Sequence, residues 1–73
     1  MNPYLSVVPK TPGKFHVGET VRIPRGWGGV RGLIIEDRGF GYRGRRYYTV
    51  KVHIEDEPEI PFPEDDLEPL PSS

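Results

Sequence analysis

The sequence predicts an all-β fold of about five short strands that curl into a small closed or half-closed barrel. Nine glycines and nine prolines among 73 residues interrupt almost every helix-length window. The one long window free of both, residues 45–57, alternates apolar and polar side chains with a period of two, which is typical of a strand. Shorter β-rich runs follow one another with glycine-rich or proline-containing connections, which favours a compact sheet over a helical bundle.

The clearest strand lies within residues 45–57. Tyr48, Val50, Val52 and Ile54 are predicted to share one apolar face, and the residues between them point the other way. An earlier strand is expected over residues 20–23, where Pro24 ends it because proline cannot extend a central ladder.

The run from 30 to 36 is β-rich, and Gly32 within it is predicted to be a bend or bulge. Residues 37–44 are predicted to form either a flexible glycine-containing hairpin loop or a loop that binds an anionic partner. Residues 60–62 fit an edge strand because proline interrupts them.

The C-terminal part is expected to contain a tight helical turn over residues 63–67. Proline opens this turn, and acidic residues follow where a helix N-terminus favours negative charge. Residues 68–70 could then form a last strand.

The predicted organisation is an extended proline-containing arm over 1–16, a barrel over 17–70 and a short tail over 71–73. In the arm, Tyr4, Leu5, Val7 and Val8 could pin the chain to a surface.

Size and composition exclude several classes of function. One small domain leaves no room for a deep cleft of its own. The absence of cysteine excludes disulfides, thiolate–zinc sites and thiol redox chemistry, and it favours a cytoplasmic location. No apolar run is long enough for a membrane span or a signal peptide, so we expect no membrane association.

The net charge of −1 hides two oppositely charged parts. Residues 1–53 contain all ten basic residues and only three acids, giving +7, whereas residues 54–73 contain eight acids and no base, giving −8. Seven of the basic residues are arginines, whose planar guanidinium suits phosphate or carboxylate. Either a basic face binds an anionic partner, or the acidic segment lies beside the basic strands and neutralises them. We expect residues 55–59 to form a turn beside the arginine-bearing loops.

Two stretches resemble SH3-like barrels of the KOW type. Residues 18–23, Gly26 and residues 29–34 are similar to their first strand, glycine-rich loop and second strand, and residues 62–70 resemble their tight turn and last strand. This resemblance implies an SH3-like barrel and nucleic-acid binding.

A weaker resemblance is to the electron-transfer accessory family of the photosystem I peripheral SH3-like subunit. It rests on residues 21–23 with Arg25 and Trp27, on residues 48–55 and on residues 62–67. It implies a non-catalytic docking subunit.

Two aromatic loops are candidate binding elements. Residues 38–42 match the first five positions of the RNA-binding signature basic–Gly–aromatic–Gly–aromatic, with Phe40 and Tyr42 as potential stacking platforms. Trp27, in a glycine-rich loop, could anchor a ligand or fold back to cap a thin core. The candidate binding residues are Arg22, Arg25, Trp27, Arg31, Phe40, Tyr42, Arg43, Arg45 and Arg46.

No catalytic or metal-binding pattern accompanies them. His16 and His53 lack metal-ligand spacing, the acidic clusters lack a calcium-loop pattern, and no nucleophile elbow or phosphate loop is present. We therefore predict a non-enzymatic module without cofactor or metal that binds a protein partner. The alternative is nucleic-acid binding, and the oligomeric state stays open. An enzyme remains conceivable only if a homo-oligomer assembles a shared site.

Overall fold

The computed structural model describes residues 13–71, which contain five strands, two short 3-10 turns and no α-helix. The 3-10 turns are Tyr42–Gly44 and Glu64–Asp66. The strands are β1 (Thr20–Ile23), β2 (Val30–Phe40), β3 (Arg46–Val52), β4 (Glu59–Pro63) and β5 (Glu68–Pro69). The all-β class, the late turn and the short last strand are confirmed.

The five strands form one antiparallel sheet in the order β4-β3-β2-β1-β5. No pairing joins β4 to β5 within residues 13–71, so of the predicted closed or half-closed barrel the closed form is not present. The prolines of β4 explain this. The Val52 N–H donates to the Pro58 carbonyl (2.9 Å), so Val52 and Pro58 are a hydrogen-bonded pair. Hydrogen-bonded and non-hydrogen-bonded pairs alternate along the register, so the backbone nitrogens of Pro61 and Pro63 face away from β3. The outer edge of β4 therefore lacks the N–H groups that closure needs.

The core lies on the inner face of the curled sheet. Tyr48, Val50 and Val52 are fully buried there, as their alternation predicted. Ile54 was expected on the same face but is 40% exposed, because β3 ends at Val52 and the chain turns away. The remaining buried apolar side chains are Phe15, Val21, Ile23, Ile34, Phe62 and Leu67.

Strand β2 is longer than predicted and is irregular at other positions. It continues through Phe40, so the first half of the expected 37–44 loop is strand. Its register against β3 shifts between Ile34 and Glu36 and again between Asp37 and Gly39. Gly32, predicted as a bend or bulge, instead sits in regular pairing, where an added Cβ would collide with Val50. Glycine is needed there for close packing.

Phe15, which the sequence assigns to the arm, packs on the inner face. The Phe15 ring is buried and makes an edge-to-face contact with Tyr48, with centroids 5.8 Å apart. This contact extends the core to the N-terminal side of Val17. The proposed pinning residues at 4–8 lie outside the described part of the chain.

Candidate functional site

Among residues 13–71, the most exposed aromatic side chains sit at the tip of the β2–β3 hairpin. Phe40 is 62% exposed and Tyr42 is 69% exposed. The tip is held by backbone hydrogen bonds from Gly41 N–H to the Arg45 carbonyl (2.7 Å) and from Gly44 N–H to the Gly41 carbonyl (3.0 Å). Two aromatic rings are thus presented to solvent on a hydrogen-bonded turn.

An arginine lies against each of these rings. The Arg43 guanidinium is 5.2 Å from the centroid of Tyr42, and the Arg46 guanidinium is 5.7 Å from that of Phe40. Both distances are within the range of cation–π attraction. Arg43 adopts a left-handed backbone conformation (φ 59°), which is uncommon for a residue other than glycine. Each exposed ring, Tyr42 and Phe40, is therefore in contact with a guanidinium group.

Arg46 supports the hairpin from inside. It is only 7% exposed, and its Nη2 contacts Asp37 Oδ2 at 2.5 Å while its Nε donates to Asp37 Oδ1. The hydrogen bond from Arg46 lowers the pKa of Asp37, and a bond from the Gly39 N–H adds to this effect against the opposing cost of burial. The pair joins the start of β3 to β2 at the base of the hairpin.

A second polar contact joins the chain before β1 to the late 3-10 turn. The Tyr48 hydroxyl donates to Glu64 Oε2 (2.8 Å) and accepts a bond from the Phe15 N–H (3.4 Å), and the Lys14 N–H also donates to Glu64 (2.8 Å). Burial and then the bond to Glu64 raise the pKa of Tyr48 to about 12. The Gly13 backbone lies so close that a Cβ there would strike the hydroxyl.

We expect the free energy of unfolding to fall as the pH rises from about 10 to about 12. In the unfolded state Tyr48 ionises near its ordinary pKa of 10, whereas in the folded state it keeps its proton until about pH 12. Its contribution to the free energy of unfolding is therefore fully present below pH 10 and is lost as the pH rises to about 12. The loss is about 3 kcal/mol by linkage. Urea unfolding across this pH range measures it. In Tyr48→Phe the Tyr48-dependent decline should disappear, whereas Tyr42→Phe, at the exposed tip, should retain it.

The nine predicted binding residues do not form one surface. Phe40, Tyr42 and Arg43 lie at one end of β2, whereas Arg25 and Trp27 lie in the loop before its other end. Between them, Arg22 and Arg31 face each other across β1 and β2 on the outer side of the sheet. Arg45 and Arg46 follow the hairpin tip.

Trp27 packs onto the core. It is only partly exposed, and its ring meets Phe62 edge-to-face with centroids 5.8 Å apart. Of the two interpretations of Trp27, the cap over the core is the one this contact supports.

Acidic side chains lie next to many of the arginines. Arg45 approaches Asp65 (3.6 Å) and Asp66 (3.8 Å), and Arg22 bonds Glu68 at 2.8 Å. The acids that pair with arginine thus come mainly from the late turn and β5. The segment after β3 turns at residues 55–56, and the His53 N–H just before this turn donates to the Arg31 carbonyl (2.9 Å) on β2. This contact lies at the end of β2 away from the hairpin loop that carries Arg43 and Arg45. The only ion pair of this segment among the described residues is Glu57 with Lys51 (3.9 Å).

Sequence reasoning missed the acidic residues that organise the site. Asp37 and Glu64 hold Arg46 and Tyr48, and Glu36 accepts hydrogen bonds from Arg38 and Thr49 on the outer face. The bond between Tyr48 and Glu64 joins residues 16 positions apart and leaves no local sequence pattern. The closeness of Asp37 to Arg46 could have been inferred from a hairpin centred on residues 41–44.

Residues 13–71 enclose no ligand-sized pocket and contain no group of three side chains that could hold a metal ion. What this region offers is a surface of exposed aromatic and charged side chains.

None of the helical segments in the described part has the length and apolarity to span a membrane.

Comparison of the chain with protein-family models, curated proteins and solved structures finds no match.

Proposed function

We propose that this protein is a non-catalytic, cytoplasmic binding module that contacts a protein partner with the tip of its β2–β3 hairpin. The observation behind the proposal is the exposure of Phe40 and Tyr42, at 62% and 69%, on a turn that is fixed by hydrogen bonds. Aromatic residues and arginine are enriched among the residues that contribute most to protein–protein binding. The tip presents this combination in Phe40, Tyr42 and Arg43.

The charges around the tip favour a protein over a nucleic acid. Arg45 and Arg46, the two arginines that follow the tip, have carboxylates within 4 Å. Phosphate binding would have to displace or outweigh these acids. Burial of the two rings in an apolar recess of a protein needs no such exchange.

We also propose that the domain is an open relative of SH3-like barrels. The 3-10 turn Glu64–Asp66 before a last strand that returns to β1 supports this proposal, as do the residues that resemble the KOW type. The missing β4–β5 pairing makes it an open variant of that architecture.

The test compares tip variants with matched exposed residues. Phe40→Ala combined with Tyr42→Ala should lose the partner that the native chain retains from a lysate of its source, because both rings leave the interface. Val17→Ala and Ile54→Ala are matched controls, since these side chains are 60% and 40% exposed in other turns. They should retain the partner. Equal retention by tip and control variants would refute the proposal.

Nucleic-acid binding is the second candidate. It is favoured by Arg25, Arg31 and Arg43, which have no acidic partner within 4 Å among residues 13–71, and by two rings on which unpaired bases could stack. Binding of this kind should weaken steeply as salt rises. Saturable binding of single-stranded RNA that falls steeply with salt and requires Phe40 and Tyr42 would favour this candidate over the first.

A further inference from the structure

A row of charged side chains crosses the outer face of the sheet at the end opposite the hairpin tip. Glu68 on β5 is paired with Arg22 on β1, and Arg22 is paired in turn with Arg31 on β2. Directly opposed residues of antiparallel strands project to the same face. The order of charges along the row is therefore negative, positive, positive.

The two arginines occupy the closer type of cross-strand pair. The His53 N–H donates to the Arg31 carbonyl, which directs the backbone of Arg31 toward β3. Arg31 and Arg22 are then a non-hydrogen-bonded pair, in which side chains approach most closely. Like charges in this arrangement repel each other.

Only one end of the row is neutralised. Arg22 bonds Glu68 at 2.8 Å, and the other outer-face cations, Arg38 and Lys51, reach Glu36 and Glu57. Arg31 is the one cation on the described strands without an acid within 4 Å, and it is exposed.

We infer that Arg31, beside Arg22, docks a carboxylate of an acidic segment on the protein partner. The Glu68 carboxylate on Arg22 shows how such a group sits on this face, and a second one on Arg31 would remove the repulsion between the arginines. This inference rests on the proposed function, since it gives the chemistry of the partner at a second surface. Arg31 and Phe40 are nine positions apart on β2, about 30 Å if the strand is fully extended.

The test titrates an oligoglutamate peptide into the full chain at low salt and follows the backbone amides of β1 and β2 by NMR. We expect saturable shifts centred on Arg31, and Arg31→Gln should weaken binding by roughly threefold to fivefold. Lys14→Gln is the matched control, because the Lys14 side chain is also exposed without an acid within 4 Å in the described region, and this variant should bind like the native chain.

The variant should fold, since removing one of two opposed arginines relieves repulsion. Equal weakening by Arg31→Gln and Lys14→Gln would overturn the inference and indicate general charge attraction. A single-stranded oligoribonucleotide of equal charge that binds more tightly with the same dependence on Arg31 would also overturn it, in favour of phosphate. The peptide titration reports on the Arg31 surface alone, so its result does not depend on whether the partner also contacts the hairpin tip.

Discussion

Removal of residues 55–73 should abolish cooperative folding. This segment supplies β4, β5 and the late 3-10 turn, and it buries Phe62 and Leu67 in the core. Each of these side chains contributes roughly 1.5–3 kcal/mol, in a domain whose total stability is about 4–11 kcal/mol by its length. Loss of Glu64 also leaves the buried Tyr48 hydroxyl without its acceptor. Amide dispersion in NMR spectra and urea unfolding of the truncated chain measure the effect.

The matched control separates burial from charge. Neutralising the exposed acids Glu55 and Glu59 to glutamine keeps every apolar contact, so this variant should unfold cooperatively with nearly native stability. If the truncated chain keeps a cooperative transition, the acidic segment is a detachable tail and the packing of Phe62 is not required for folding.

Phe62→Ala should be the most damaging single substitution on β4, at about 3–5 kcal/mol. The ring is only 7% exposed, lies opposite Tyr48 in the register and holds Trp27 edge-to-face. Its removal leaves a cavity on the inner face and frees the tryptophan. Urea unfolding followed by Trp27 fluorescence reports both effects.

A change at an exposed apolar position gives the comparison. Ile54→Ala removes a side chain that is 40% exposed beyond the end of β3, so it should cost within about 0.5 kcal/mol. Similar losses for Ile54→Ala and Phe62→Ala would contradict the position of the core on the inner face.

The fold was predictable where one local signal decides the structure. The alternation of Tyr48, Val50 and Val52 predicts the buried face of β3, and proline followed by acids predicts the turn Glu64–Asp66. Barrel closure was not predictable in this way, since it depends on which backbone groups of β4 face outward. The β3–β4 register, and not the local composition, decides which N–H and carbonyl groups of β4 face outward.

The site was harder to predict from the sequence, because the register shifts in β2 change which of its side chains face the core and which face outward. Counting in twos from the buried Ile34 would place Glu36 and Arg38 inside. The register shift after Ile34 instead puts Asp37 opposite Tyr48, where it reaches Arg46, and leaves Glu36 and Arg38 on the outer face. The exposed aromatic tip was visible as a motif, but its separation from Trp27 emerged only with the full length of β2.

The outward prolines of β4 bear on how this chain meets other molecules. A strand that joins a sheet edge needs alternating donors and acceptors along it, and Pro61 and Pro63 leave that edge with carbonyls but without N–H groups at these positions. Fibril-like stacking of copies along β4 is disfavoured for the same reason. A partner that contacts the outer edge of β4 would therefore have to bind its side chains, because the backbone at Pro61 and Pro63 has no N–H group to pair with another strand. Selectivity at this edge would depend on which side chains are present.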